Sequence, residues 1–289
     1  MKRDIFTITA AVFTCFVLAV LWVPAAAQES REDAPSVETI VERSNQTAYY
    51  QGKDGRADVN MNIVDAQGRT RTRRFSILRR DDLPPKDKTE KDETDEHTGD
   101  QRFYVYFKAP PDVSDTAFMV WKHVDINRDD DRWLYLPDLD LVKRIAASDK
   151  RTSFVGSHFY YEDVSGRNTN EDKHGLVDVT DTYFVLDNTP KQPEMVEFSH
   201  YKMWIHRDTF LPIQTEYYNK RGEAYRKYSV MNVSKPQGFL TVTRSKMEDL
   251  RTGGHTTIEY SQVKYNVGLP KEIFTERYLR KPPMDYIKK

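Results

Sequence analysis

The sequence predicts a mainly β protein of antiparallel strands, and three observations carry that prediction. Apolar residues recur at a period of two along most of the chain. Short turn clusters such as Ala66-Gln67-Gly68, Asn219-Lys220-Arg221-Gly222, Pro236-Gln237-Gly238 and Thr252-Gly253-Gly254 punctuate those runs. Helical spacing is confined to one stretch near the start and a short one at the end.

Before the first strand the chain reads as an export signal. Lys2 and Arg3 precede an apolar run from Ile5 to Val23, then Pro24 and Ala25-Ala26-Ala27. A basic n-region, an apolar h-region and an A-x-A site predict a secretory signal peptide over 1–27, with cleavage after Ala27; an uncleaved anchor is the alternative. Cys15, the single cysteine, lies inside that run. It lacks the small preceding residue of a lipoprotein site, and one cysteine has no partner within the chain, so a soluble exported protein without a disulfide is expected. Residues 28–35 form a polar leader. With 38% hydrophobic and 31% charged residues the rest can bury a core. A formal net charge of −1 argues against a nucleic-acid partner, whose phosphates need a basic face.

From Ser36 the pattern is helical. Val37, Ile40, Val41, Ser44 and Ala48 fall on one face, Ser36 can cap the start, and Gly52 ends the run. The period then becomes two: Val59, Met61 and Ile63 alternate with Asp58, Asn60 and Asn62, and Phe75 and Ile77 continue after the turn. This predicts a hairpin with one wet face. Residues 79–102 break the alternation with a charged run and read as a solvated loop insertion. Strand signals resume at Phe103–Phe107, Phe118–His123, Arg132–Leu136 and near Lys143-Arg144-Ile145. They continue at Thr182–Leu186, Met195–Ile205, Ile213–Tyr218, Tyr225–Met231, Phe239–Met247 and Thr256–Tyr265, about ten strands in all. Lys271–Arg280 reads as a short terminal helix. Period alone does not choose between two stacked sheets and one curled sheet.

Sites for covalent chemistry are not evident. The histidines His123, His158, His200 and His206 form no clustered ligand set. Asp125–Asp131 resembles a calcium loop but has Asp130 where glycine is needed and Leu136 where a bidentate glutamate is needed. Ser157 beside His158 lacks the nucleophile-elbow context, and the adjacent Glu162 and Asp163 do not converge from separate elements. The sequence therefore predicts a binding protein rather than an enzyme, with no cofactor and no metal.

An ordered set of motifs is more specific. Asp131-Arg132-Trp133-Leu134-Tyr135-Leu136-Pro137 is followed by Val142-Lys143-Arg144-Ile145, Ser153-Phe154-Val155-Gly156-Ser157 and Tyr160-Tyr161-Glu162-Asp163. Trp204–Pro212 and Asn266–Pro270 with Phe274–Leu279 extend the series. Together these blocks resemble the outer-membrane lipoprotein-sorting family, the LolA-like periplasmic carriers. His158 stands where the family pattern has Asp, and Lys143 replaces a basic neighbour.

The resemblance implies that residues 36–289 form an incomplete antiparallel barrel, closed on its open side by the N-terminal helix and short helices. The implied role is a periplasmic carrier that holds the acyl chain of a lipid or lipoprotein in an apolar cavity. An inner-membrane export pump or an outer-membrane receptor would be its further partners, and a monomer is expected. An envelope scaffold that binds a partner protein without carrying lipid is the alternative, and a lipid or glycan hydrolase a third reading. The expected lining is Met61, Ile63, Phe75, Ile77, Phe103, Val105, Phe107, Phe118 and Val120; plain core is the competing role for each. Arg144, Ser153, Phe154, Gly156, Ser157, Glu162 and Asp163 are expected to form a structural lid motif. Within it, Gly156 would supply a special backbone conformation and Arg144 would pair with Glu162 or Asp163.

Overall fold

The computed structural model describes residues 34–82 and 99–287. The expected signal peptide and most of the polar leader lie outside them. Helix α1 runs from Val37 to Tyr49, and the Ser36 hydroxyl accepts from the Thr39 amide at 3.2 Å. The side chains of Ile40 and Ser44 are its buried contacts.

Thirteen strands follow. They are β1 (Asp54–Val64), β2 (Thr70–Asp82), β3 (Asp100–Ala109), β4 (Ala117–Lys122), β5 (Asp131–Leu136), β6 (Leu141–Arg144), β7 (Asp172–Val179), β8 (Tyr183–Pro190), β9 (His200–His206), β10 (Pro212–Tyr218), β11 (Ala224–Ser234), β12 (Thr241–Asp249) and β13 (His255–Tyr265). All pair antiparallel in one sheet, in the order β6-β5-β4-β3-β2-β1-β13-β12-β11-β10-β9-β8-β7. The edges β6 and β7 do not pair, so the barrel is incomplete. The chain walks outward from β1 to β6, jumps to β7 at the opposite edge, and walks back to β13 beside β1. Residues 145–171 make that jump. This connector carries a short helix, α2 (Tyr161–Ser165).

Thirteen strands exceed the tally of about ten, and β7 is the one with no counterpart among the segments read from the sequence. Strand β7 reads Asp-Lys-His-Gly-Leu-Val-Asp-Val and shows no clean alternation, because it is an edge strand with little to bury. The predicted loop 79–102 is also shorter at both ends. Arg80, Asp81 and Asp82 pair with Arg102, Gln101 and Asp100 across β2 and β3. Their charges are neutralised locally: Arg102 bonds Asp82, and the Gln101 amide donates to Asp81 at 2.8 Å.

The sheet has a core on each face. Inside, Met61, Ile63, Phe75, Phe103, Phe107, Phe118 and Val120 pack with Phe154 and Tyr161 of the connector. Outside, Leu78, Tyr104, Tyr106, Met119 and Trp133 are covered by Leu269, Ile273, Phe274, Leu279 and Ile287 of the C-terminal segment. That segment contains α3 (Glu276–Arg280) and α4 (Met284–Ile287). The Asp54 carboxylate ties it down by accepting from the amides of Val267 and Leu269 at 2.6 and 2.7 Å. Strands β3 and β4 are thus dry on both faces, whereas the β1–β2 tip keeps the expected wet one.

Candidate functional site

The site is the hollow of the curved sheet. Period-two alternation aims Ala57 of β1, Phe75 and Ile77 of β2, Phe103 and Val105 of β3, Met247 of β12 and Ile258 of β13 into the same interior. Helix α1 lies across them, and between it and the sheet is a cavity of about 390 Å³. This falls within the usual range for ligand pockets, roughly 300–1,000 Å³. Phe154 and Phe159 of the connector, Leu186, Met203 and Ile205 of β8 and β9, and Leu240 and Val242 near β12 add to a wall that is mostly apolar.

The nine residues expected to line the cavity all lie on this inner face, but they divide. Phe75, Ile77, Phe103 and Val105 border the void. Met61, Ile63, Phe107, Phe118 and Val120 are packed core and are absent from its wall. The reason is Phe154. Its ring sits 5.7 Å from Phe107 and 5.4 Å from Phe118, with Tyr161 5.1 Å from Phe118, and together these rings fill that end of the barrel. The residues missed lie in the later strands and on α1: Tyr49, Tyr217, Tyr228 and Tyr260 line the cavity as well. Their signal was period two in β10, β11 and β13, where tyrosine reads equally as an outward polar residue.

The lid motif forms the tight start of the connector. Val155 and Gly156 both take positive φ, 48° and 76°. The Ser153 hydroxyl donates to the Ser157 carbonyl at 2.7 Å, and the Phe159 amide donates to the Ser157 hydroxyl at 3.1 Å. This closed loop presents Phe154 inward. His158, the departure from the family pattern, is turned to Thr256. Its backbone amide donates to the buried Thr256 hydroxyl at 3.0 Å, and its Nδ1 meets the same oxygen at 2.8 Å. Gly254 leaves room for the imidazole, since a Cβ there would stand 2.6 Å from Nε2.

The expected Arg144 pairing does not form. Arg144 is 68% exposed on the outer side of the edge strand and bonds Asp131. Glu162, only 3% exposed, is instead held by three cations: Arg151, Lys150 at 3.4 Å and Arg167 at 3.4 Å. Burial alone would raise its pKa, but Arg151, Arg167 and Lys150 hold it down to about 2. Arg151 reaches on to Glu197 with two bonds of 2.7 Å, and Arg167 to Asp172 with two of 2.9 Å. The neighbouring Asp163 pairs with the buried Arg226, whose guanidinium lies 3.9 Å over the Tyr160 ring.

Lys122, at the inner end of β4, joins the connector to α1. Its ammonium donates to the Ser165 carbonyl at 2.8 Å and lies 4.9 Å from the Tyr49 ring centre. Burial depresses its pKa to about 8, although Asp130 and Glu162 favour the charged form. Elsewhere, both nitrogens of His123 meet carboxylates, Asp100 at 3.0 Å and Asp131 at 3.1 Å. Among the described residues no group of three or more His, Cys, Asp or Glu side chains could hold a metal ion. Among them, too, no helix is long and apolar enough to cross a membrane.

A single unclosed antiparallel sheet wrapped round an apolar hollow, with a helix across it, is the LolA-like fold. Known structures agree. A DUF1329 family protein from Desulfovibrio piger is 28% identical, covers 85% of this chain and 100% of its own, and superposes with a TM-score of 0.73. An outer membrane lipoprotein-sorting protein domain from Vibrio parahaemolyticus is 23% identical over 87% of this chain and 99% of its own, TM-score 0.70. A LolA superfamily protein from Nitrosomonas europaea is 20% identical over 85% and 100%, TM-score 0.62. No curated protein matches the sequence. A family model described as "uncharacterized protein" matches residues 99–281, more than half of the chain, and the chain belongs to that family.

Proposed function

We propose that the protein is a periplasmic carrier that shields the acyl chain of a lipid or lipoprotein and performs no covalent chemistry. The cavity between α1 and the sheet carries this reading. Burying an acyl chain contributes about 0.8 kcal/mol per CH₂, so an apolar slot of this size supplies a strong, shape-tolerant attraction. The fold shared with an outer membrane lipoprotein-sorting domain supports it. So does the N-terminal signal read from Lys2 to Ala27, which would deliver the chain to the periplasm. Phe75, Ile77, Phe103 and Val105 are the expected early-strand residues that would touch the chain; Met61, Ile63, Phe107, Phe118 and Val120 would back them.

A carrier must also release its cargo, and α1 is the cover that can move. Among the described residues it forms no ion pair. It is held by Ile40, by a 3.2 Å bond from Thr47 to the Thr209 carbonyl, and by the Arg43 guanidinium 4.0 Å over the Phe210 ring. An export pump or an outer-membrane receptor would complete the route as donor or acceptor.

Native mass spectrometry of the protein purified gently from the periplasm, with lipid extraction of the same sample, tests the reading. Bound species with the mass of an acyl lipid or acylated peptide are expected. A ligand-free protein that also fails to bind a fluorescent fatty acid overturns it and leaves a scaffold.

A further inference from the structure

The cavity is not uniformly apolar. Tyr49 of α1, Tyr217 of β10, Tyr228 of β11 and Tyr260 of β13 all line it, and all four remain half-buried because they face the void. The Tyr228 hydroxyl bonds Ser245. The hydroxyls of Tyr49, Tyr217 and Tyr260 form no hydrogen bond with any described residue. Hydroxyls that face a mostly apolar hollow without a protein partner are normally satisfied there by a water or a ligand.

The four rings, from α1, β10, β11 and β13, border the same cavity. Tyr228, Asp163, Tyr217 and Tyr260 all oppose ionisation of Tyr49, after burial itself. Burial, then Asp163, pushes Tyr217 up to about 12, against the pull of Arg226, and burial pushes Tyr260 up as well. The hydroxyls therefore stay protonated and can donate. The cations beside these rings are already engaged: Arg226 by Asp163, Arg151 by Glu162 and Glu197, and Lys122 by the Ser165 carbonyl. The group these hydroxyls suit is a neutral acceptor attached to apolar chain.

Resting on the carrier reading, we propose that Tyr49, Tyr217 and Tyr260 form a polar waist that donates to the ester carbonyl of an acyl ligand. The apolar walls on either side would take the hydrocarbon. The carrier would then prefer acyl esters to hydrocarbon chains of equal length that lack the carbonyl. One such neutral hydrogen bond discriminates by roughly two- to tenfold, and two donors on one carbonyl by more.

The test uses delipidated protein, 1-monopalmitoylglycerol and its ether counterpart 1-O-hexadecylglycerol, with binding read by titration calorimetry. The wild type is expected to bind the ester about tenfold tighter than the ether. The triple variant Tyr49→Phe, Tyr217→Phe, Tyr260→Phe keeps all three rings, and its ester-to-ether ratio should fall towards one. Its circular dichroism and melting temperature establish that it folds, and the single variants replace it if it does not. If both lipids bind the wild type equally, or the preference survives in the Phe variants, the tyrosine waist is overturned while the carrier reading stands. Failure of the wild type to bind either lipid overturns both.

Discussion

Helix α1 and the connector 145–171 both border the cavity, yet they are fastened by different forces. The connector is nailed down by charge: Glu162, Asp163, Asp172 and Glu197 are each bonded to a buried or half-buried arginine. Helix α1 has apolar contacts, a cap and a few hydrogen bonds, several of them at its last residue. The Tyr49 carbonyl accepts from Arg79 and, at 2.9 Å, from Gln101, and the Tyr49 ring rests on Gly166. Buried ion pairs add little net stability over apolar packing but are costly to break once formed. A cover fastened that way stays put, whereas α1 is pinned by hydrogen bonds mainly at its last residue and can loosen from its other end. On the carrier reading, the contrast would make the connector a fixed plug and α1 the gate.

The sharpest way to break the comparison is Glu162→Gln. The amide keeps the shape but leaves Lys150, Arg151 and Arg167 without their shared anion. A loss of up to about 3 kcal/mol is expected by urea denaturation, since a buried anion is removed while Glu171, Glu197 and Asp172 stay paired with the three cations. The same carboxylate predicts an acid response. Its folded pKa of about 2 lies below the ordinary carboxylate value, so the stability it gives is fully present above about pH 4.5 and is lost as pH falls towards 2. The wild type should lose stability across that window and Glu162→Gln should lose less; parallel curves would show that the triad of cations is not what fixes the plug.

Lys122 sits where the two covers meet, and its sign is opposite. A lysine whose pKa falls to about 8 on burial costs the fold stability while charged and stops doing so as pH rises from 8 to its ordinary value near 10.5. Lys122→Met should therefore be neutral or stabilising by about 1–3 kcal/mol at pH 7. The gap between variant and wild type should close above pH 10. A variant destabilised at pH 7 would show that the Ser165 and Tyr49 contacts outweigh the buried charge.

How far these features could be read from residues alone follows the range of the forces. Ser36 as a cap and the inward aim of Val59, Met61 and Phe75 are local, and a period of two fixes them. Which inward residues border a void is not local: it depends on Phe154 arriving from the connector, far along the chain. Charge alone points Arg144 to Glu162 or Asp163, but pairing follows strand position, and β6 is an outer edge. Lys150, Arg151 and Arg167, closer in sequence to Glu162, are the cations that hold it. The continuous run Phe103-Tyr104-Val105-Tyr106-Phe107 already signalled a strand buried on both faces. What covers its second face, Phe274 and Leu279, carried no sequence mark linking it to β3.

The smaller effects belong to α1. Gly166 has φ 76°, and a Cβ there would stand 2.3 Å from the Tyr49 ring. Gly166→Ala must therefore push the ring, and with it the end of α1, away from the plug, at about 1–3 kcal/mol. Hydrogen exchange should rise in α1 and not in β3 or β4. Ser36→Ala acts at the other end of the helix by removing the acceptor for the Thr39 amide, and should cost about 1 kcal/mol. Because nothing else ties down that end by charge, the loss should appear as local opening of α1 rather than as a lower global melting temperature. It should also speed release of a bound fluorescent fatty acid in stopped flow. A variant that lowers the melting temperature yet leaves release unchanged would show that α1 is part of the rigid body and that cargo leaves by another route.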